Sequence, residues 1–95
     1  MKGNMEKEQF NKNEEQFNES EKQFYQRLGK ALRDARRRAN KSQSQVAQSI
    51  NVTFQQVQKY EKATNFPKEY RTMKMVESLG RDYETFKKEY NVYTG

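Results

Sequence analysis

The apolar residues of this 95-residue chain fall in short clusters with helical spacing, separated by residues that start and stop helices. Between Ser20 and Ala39, Phe24, Leu28, Leu32 and Ala35 recur at intervals of three and four and share one helical face. Ser20 with Gln23 three residues on fits a capping box at the start of that helix. Asn40, which tolerates the left-handed conformation, ends it. Ser42 and Gln45 form a second capping box and open a short helix through Ser49, with Val46, Ala47 and Ile50 inward. Asn51 again accepts positive φ. Thr53 and Gln56 make a third box and open a helix from Phe54 to about Lys62, with Val57 and Tyr60 inward. Pro67 suits a first helical turn, so the next helix is predicted from there to Leu79, with Met73, Val76 and Leu79 inward and Gly80 as its stop. Asp82 is the N-cap expected for a last helix carrying Tyr83, Phe86 and Tyr90. No alternating strand pattern competes, so the fold class is all-α with five helices over residues 20–91.

Residues 1–19 form a polar arm rich in Glu, Lys, Asn and Gln. Such a composition predicts a disordered or loosely helical segment. Phe10, Phe17 and Phe24 recur every seven residues and would line one helical stripe. The companion positions Asn13, Ser20 and Arg27 are polar, which leaves the stripe too thin for a coiled coil. Two readings stay open: a disordered arm, or a helix docked on a partner protein or a second subunit.

Charge sharpens the picture. The net charge is +6; residues 1–24 carry −2 and residues 25–95 carry +8. A strongly basic small domain suits a polyanionic partner, with nucleic acid and anionic membrane as rivals. The apolar face around Lys30 to Lys41 is too weak to insert far into a membrane, and no apolar run is long enough to span one. The N-terminus lacks the apolar core of a signal peptide, so a cytoplasmic location is expected. The chain has neither cysteine nor histidine. Disulfides, thiolate metal sites and the commonest general base are therefore excluded. With no glycine-rich phosphate loop and no carboxylate pair beyond surface positions, neither an enzyme nor a cofactor is expected.

The two short helices are separated by only Ile50 to Thr53, the length of a helix-turn-helix turn. The stretch LGKALRDARRRANKSQSQVAQSINVTFQQVQKYEKATNFP resembles the phage-repressor and Cro-like helix-turn-helix family, also called the xenobiotic-response-element family. The matching elements are Leu28-Gly29 and Leu32-Arg33, then Ser42-Gln43 with Val46-Ala47, then Val52-Thr53 and finally Tyr60-Glu61. The resemblance covers roughly residues 27–80 and implies a lambda-repressor-like, double-stranded DNA-binding transcriptional regulator, such as a repressor. The second helix of such a motif enters the major groove. Its exposed residues here are Phe54, Gln55, Gln56, Gln58 and Lys59. Gln pairs bidentately with adenine, Phe54 can pack on a thymine methyl, and Lys59 can reach guanine or a phosphate. The family also places the residue matching Gln43 on a base or the backbone. Lys41, Thr53, Lys62, Thr64, Asn65 and Lys68 are the candidates for phosphate contact. Thr53 doubles as an N-cap. By resemblance, Arg36 and Glu61 form a structural ion pair joining the first helix to the end of the recognition helix.

Arg33, Arg37 and Arg38 form a basic run that is either a phosphate-attracting surface or a solvated helix face. Three departures stand out. Lys41 replaces an apolar residue, Asn40 and Asn51 replace glycines, and Ala63 replaces the glycine after Glu-x. Alanine at 63 argues against a left-handed backbone there. One recognition helix per chain predicts a homodimer on a pseudo-palindromic site. Tyr83, Phe86 and Tyr90 either form its interface or close the monomer core. The alternative is an antitoxin-like protein that holds another protein with its N-terminal arm.

Overall fold

Residues 19–90 are the residues that the computed structural model describes. The arm stripe through Phe10 and Phe17, any partner-holding role of the arm, and the tail 91–95 lie outside them. Five helices follow one another: α1 (Glu19–Arg38), α2 (Gln43–Ser49), α3 (Phe54–Lys62), α4 (Glu69–Ser78) and α5 (Tyr83–Glu89). No strand occurs among the described residues, so the all-α, five-helix expectation holds. α3 packs against both α1 and α2, while α4 bridges α1, α2 and α5. The core collects Leu28, Leu32 and Ala35 from α1, Val46 and Ala47 from α2, and Val57 from α3. Met75 and Val76 of α4 and the fully buried Phe86 of α5 close it. Each such side chain removed from water contributes about 1.5–3 kcal/mol if large.

Four helices end by the same device. A residue with left-handed backbone follows each: Asn40 (φ 58), Asn51 (φ 58), Ala63 (φ 60) and Gly80 (φ 78). The next amide then reaches back five residues to a helix carbonyl: Lys41 to Arg36 (3.1 Å), Val52 to Ala47 (3.0 Å), Thr64 to Lys59 (3.0 Å) and Arg81 to Val76 (3.3 Å). These bonds satisfy carbonyls that the helix itself leaves open. Asn and Gly take the conformation at low cost, whereas Ala pays roughly 1–2 kcal/mol for it. The sequence expectation that Ala63 avoids the left-handed region is thus corrected: the reach-back bond and the packing of the following loop impose it.

Other details differ from the sequence reading. Ser20 lies inside α1, which already includes Glu19, so it is not that helix's N-cap. Pro67 precedes α4 instead of occupying its first turn; Lys68 is the N-cap and makes no side-chain cap bond. Extended Lys68 (φ −70, ψ 159) separates Pro67 from the helix, and Pro67 is buried beside a Phe66 ring stacked on Tyr25 at 4.2 Å. The α4 register follows: Thr72, Met75 and Val76 are buried and Met73 is only half-buried. Tyr83 and Phe86 are buried in the core and half-buried Tyr90 is packed against it, so these rings help close the core of the domain. Tyr90 also donates its hydroxyl to Asp34 of α1.

Ala63→Gly should raise stability by about 1 kcal/mol, because glycine takes positive φ without a Cβ penalty. Thermal unfolding checks it, with a midpoint rise of about 4–8 °C expected for a domain this small. Burial pushes the Tyr83 phenol up to about 12, with the Glu69 carboxylate adding to the effect. Folding therefore favours the protonated phenol. Its contribution is full below pH 10.0, the ordinary value of a free tyrosine, and is lost as the pH climbs through about 12. Denaturant midpoints measured across that window should fall, and Tyr83→Phe should flatten the fall.

Candidate nucleic-acid interface

The α2–α3 pair is built by local chemistry. The Ser42 hydroxyl accepts from the Gln45 amide at 3.0 Å, and the Gln45 side chain accepts from the Ser42 amide at 2.7 Å, a complete capping box. Left-handed Asn51 turns the chain, and Arg71 of α4 donates to the Ile50 carbonyl at 3.1 Å from outside the turn. Thr53 caps α3 by accepting from the Gln56 amide at 3.1 Å. The reciprocal half of that third box is not made. The Gln56 side chain donates instead to the Tyr60 hydroxyl at 3.0 Å, one turn further along the same helix.

α3 buries Val57, Tyr60 and Glu61. Its opposite face is left to solvent and carries Phe54, Gln55, Lys59 and Lys62, with Gln58 half-buried. Phe54 is 40% exposed, a large apolar ring that contributes little to the core.

One junction fixes the attitude of α3. Glu61 is 6% exposed. Arg36 of α1 grips its carboxylate with two bonds, Nε to Oε2 at 2.6 Å and a terminal nitrogen to Oε1 at 3.0 Å. The other terminal nitrogen of Arg36 donates to the Lys41 carbonyl at 2.9 Å. Gln43, first residue of α2, adds a bond from Nε2 to Glu61 Oε1 at 3.1 Å. Three helix termini therefore share one carboxylate. Gly29 lets α1 come this close: a Cβ there would lie 2.5 Å from the Glu61 carbonyl oxygen and 2.9 Å from that of Tyr60.

The sequence-predicted site residues divide into two groups. Phe54, Gln55 and Lys59 share the open face of α3, with Thr53 and Lys62 at its two ends, all exposed. Lys41, Thr64, Asn65 and Lys68 are exposed on the flanking loops. Thr53 accepts through its hydroxyl oxygen and keeps the O–H free to donate. The Asn65 side-chain oxygen accepts from the Phe66 amide at 2.8 Å, which leaves its NH₂ for a ligand. The loop that carries Thr64 and Asn65 is pinned by the Tyr25–Phe66 stack. Gln43 and Gln56 form the second group, because both side chains are engaged within the protein. In the basic run, Arg38 pairs with Asp34 at 3.2 Å, Arg37 is exposed and Arg33 is half-buried.

Sequence reasoning missed the Gln56–Tyr60 and Gln43–Glu61 bonds and the Tyr25–Phe66 stack. The first had a signal, since residues 56 and 60 are one helical turn apart. The other two join residues 18 and 41 positions apart and left none.

A family model described as helix-turn-helix matches residues 32–86, more than half of the chain. The chain belongs to this Cro-like helix-turn-helix family, a family of DNA-binding transcriptional regulators. Over 38 residues it is 53% identical to the uncharacterized HTH-type transcriptional regulator y4aM of Sinorhizobium fredii (strain NBRC 101917 / NGR234), which covers 40% of this chain and 27% of that relative. No solved structure matches the chain. No described helix is long and apolar enough to cross a membrane.

Arg36→Met strips Glu61 of its charge partner and should cost about 3–5 kcal/mol, the usual loss when half of a buried pair is removed. Arg36→Met with Glu61→Leu should recover most of that loss. Urea denaturation of the three proteins checks both, and a single-variant cost under about 1 kcal/mol would count against the clamp.

Proposed function

We propose that this chain is a sequence-specific double-stranded DNA-binding transcriptional regulator that inserts α3 into the major groove. The observation that carries the reading is the open face of α3. It displays Phe54, Gln55 and Lys59 without a packing reason, on a helix held rigidly from behind by Glu61. Gln55 supplies the bidentate donor and acceptor that match adenine, Phe54 the apolar surface for a thymine methyl, and Lys59 a contact to guanine or phosphate. Gln56 reaches a base only by giving up Tyr60, and Gln43 only by giving up Glu61, so both are second in rank. Thr53, Lys62, Thr64, Asn65, Lys41 and Lys68 supply the backbone contacts that set position without reading sequence. One α3 per chain favours two copies on a pseudo-palindromic site with half-sites about 34 Å apart.

Binding should fall with salt. About six neutralised phosphates give a slope of log affinity against log salt near −5. Fluorescence anisotropy on duplexes recovered by in vitro selection measures it, and a flat response would sink the reading. In the same assay Gln55→Ala should relax sequence preference by about 1–3 kcal/mol, while Lys62→Ala should weaken all duplexes alike.

A further inference from the structure

The exposed flank of α1 forms an open groove of about 600 Å³ with the end of α3. Arg27, Lys30 and Arg33 line it from α1, and Glu61 and Lys62 of α3 with the C-cap Ala63 line the other side. None of these four cations has an ion-pair partner among the described residues. Two acids adjacent to them in sequence are already engaged: Glu61, beside Lys62, is gripped by Arg36, and Asp34, beside Arg33, by Arg38 and Tyr90. Lys62 belongs to both surfaces, since it closes the groove and sits on the same face of α3 as Gln55. The groove is therefore continuous with the proposed reading face.

We infer that this groove is a phosphate track for duplex DNA flanking the half-site; the inference rests on the DNA-binding reading above. From Arg27 to Arg33, α1 rises about 9 Å, which spans roughly two to three phosphates of one strand. The track has no base-reading group facing it beyond two glutamines, Gln23 and Gln26. It lengthens the footprint without adding to the sequence read.

The test uses the full chain and selected duplexes of two lengths, the core site and the core extended by about one helical turn on each side. The variant is Arg27→Gln with Lys30→Gln; both side chains are exposed, and circular dichroism checks that the fold is kept. The unaltered chain should bind the longer duplex more tightly, on the order of tenfold, with a salt slope steeper by about 2. The variant should lose that gain and bind the core duplex as before. Equal binding of both lengths by the unaltered chain overturns the track, as does an equal loss on both lengths in the variant. Capture of poly-glutamate that depends on Arg27 and Lys30, with DNA binding unchanged, also overturns it and assigns the groove to an acidic protein segment. Failure of the unaltered chain to bind either duplex is a separate result, which removes the DNA reading itself.

Discussion

A carboxylate can be buried only where its charge and both its oxygens find partners, and Glu61 is such a carboxylate at the end of α3. Arg36 provides two donors in the fork that matches it, and Gln43 provides a third. The cost of desolvating Glu61 thereby becomes a constraint on three helices together, since α1, α2 and α3 must each hold their terminus in place to meet it. Arg36 also ties down the Lys41 carbonyl, so the same guanidinium sets where α2 begins. The polar face of α3 points outward because its opposite side is committed to this junction and to Val57 and Tyr60.

Local sequence chemistry accounts for much of the fold. Ser42, Gln45, Asn40, Asn51, Gly80 and Asp82 act within a few residues of where they stand, through caps and left-handed turns that a one-dimensional reading can follow. Departures arose where tertiary contact outweighed local preference. Ala63 takes a conformation it does not favour because the loop beyond it is anchored on α1 through Phe66. Pro67 has every local qualification for a first helical turn, yet α4 begins two residues later, after extended Lys68. Val76 and Leu79 are inward as expected, and Met75 is buried more deeply than Met73.

The site was legible in outline and less so in detail for a related reason. An exposed polar residue on a recognition helix looks alike in sequence whether its side chain is free or engaged. Gln55 and Gln56 are neighbours of the same type, but α3 turns one toward solvent and the other toward Tyr60. Of the groove's cations on α1, only Arg33 stood in the basic run read from the sequence, and Arg27 and Lys30 were not singled out as binding residues. Which of them face the end of α3 depends on how close α1 approaches, and Gly29 sets that distance.

Gly29 carries a further consequence. With helix backbone against carbonyl oxygens and no intervening side chain, the α1–α3 crossing has no compressible layer through which the angle could drift. In the proposed function, the orientational entropy of α3 is lost at folding and is not lost again at association. On the proposed DNA-binding reading, discrimination would then fall to side-chain rotamers on a fixed axis and to the deformability of the duplex itself, and an ill-fitting sequence would have to bend to the protein.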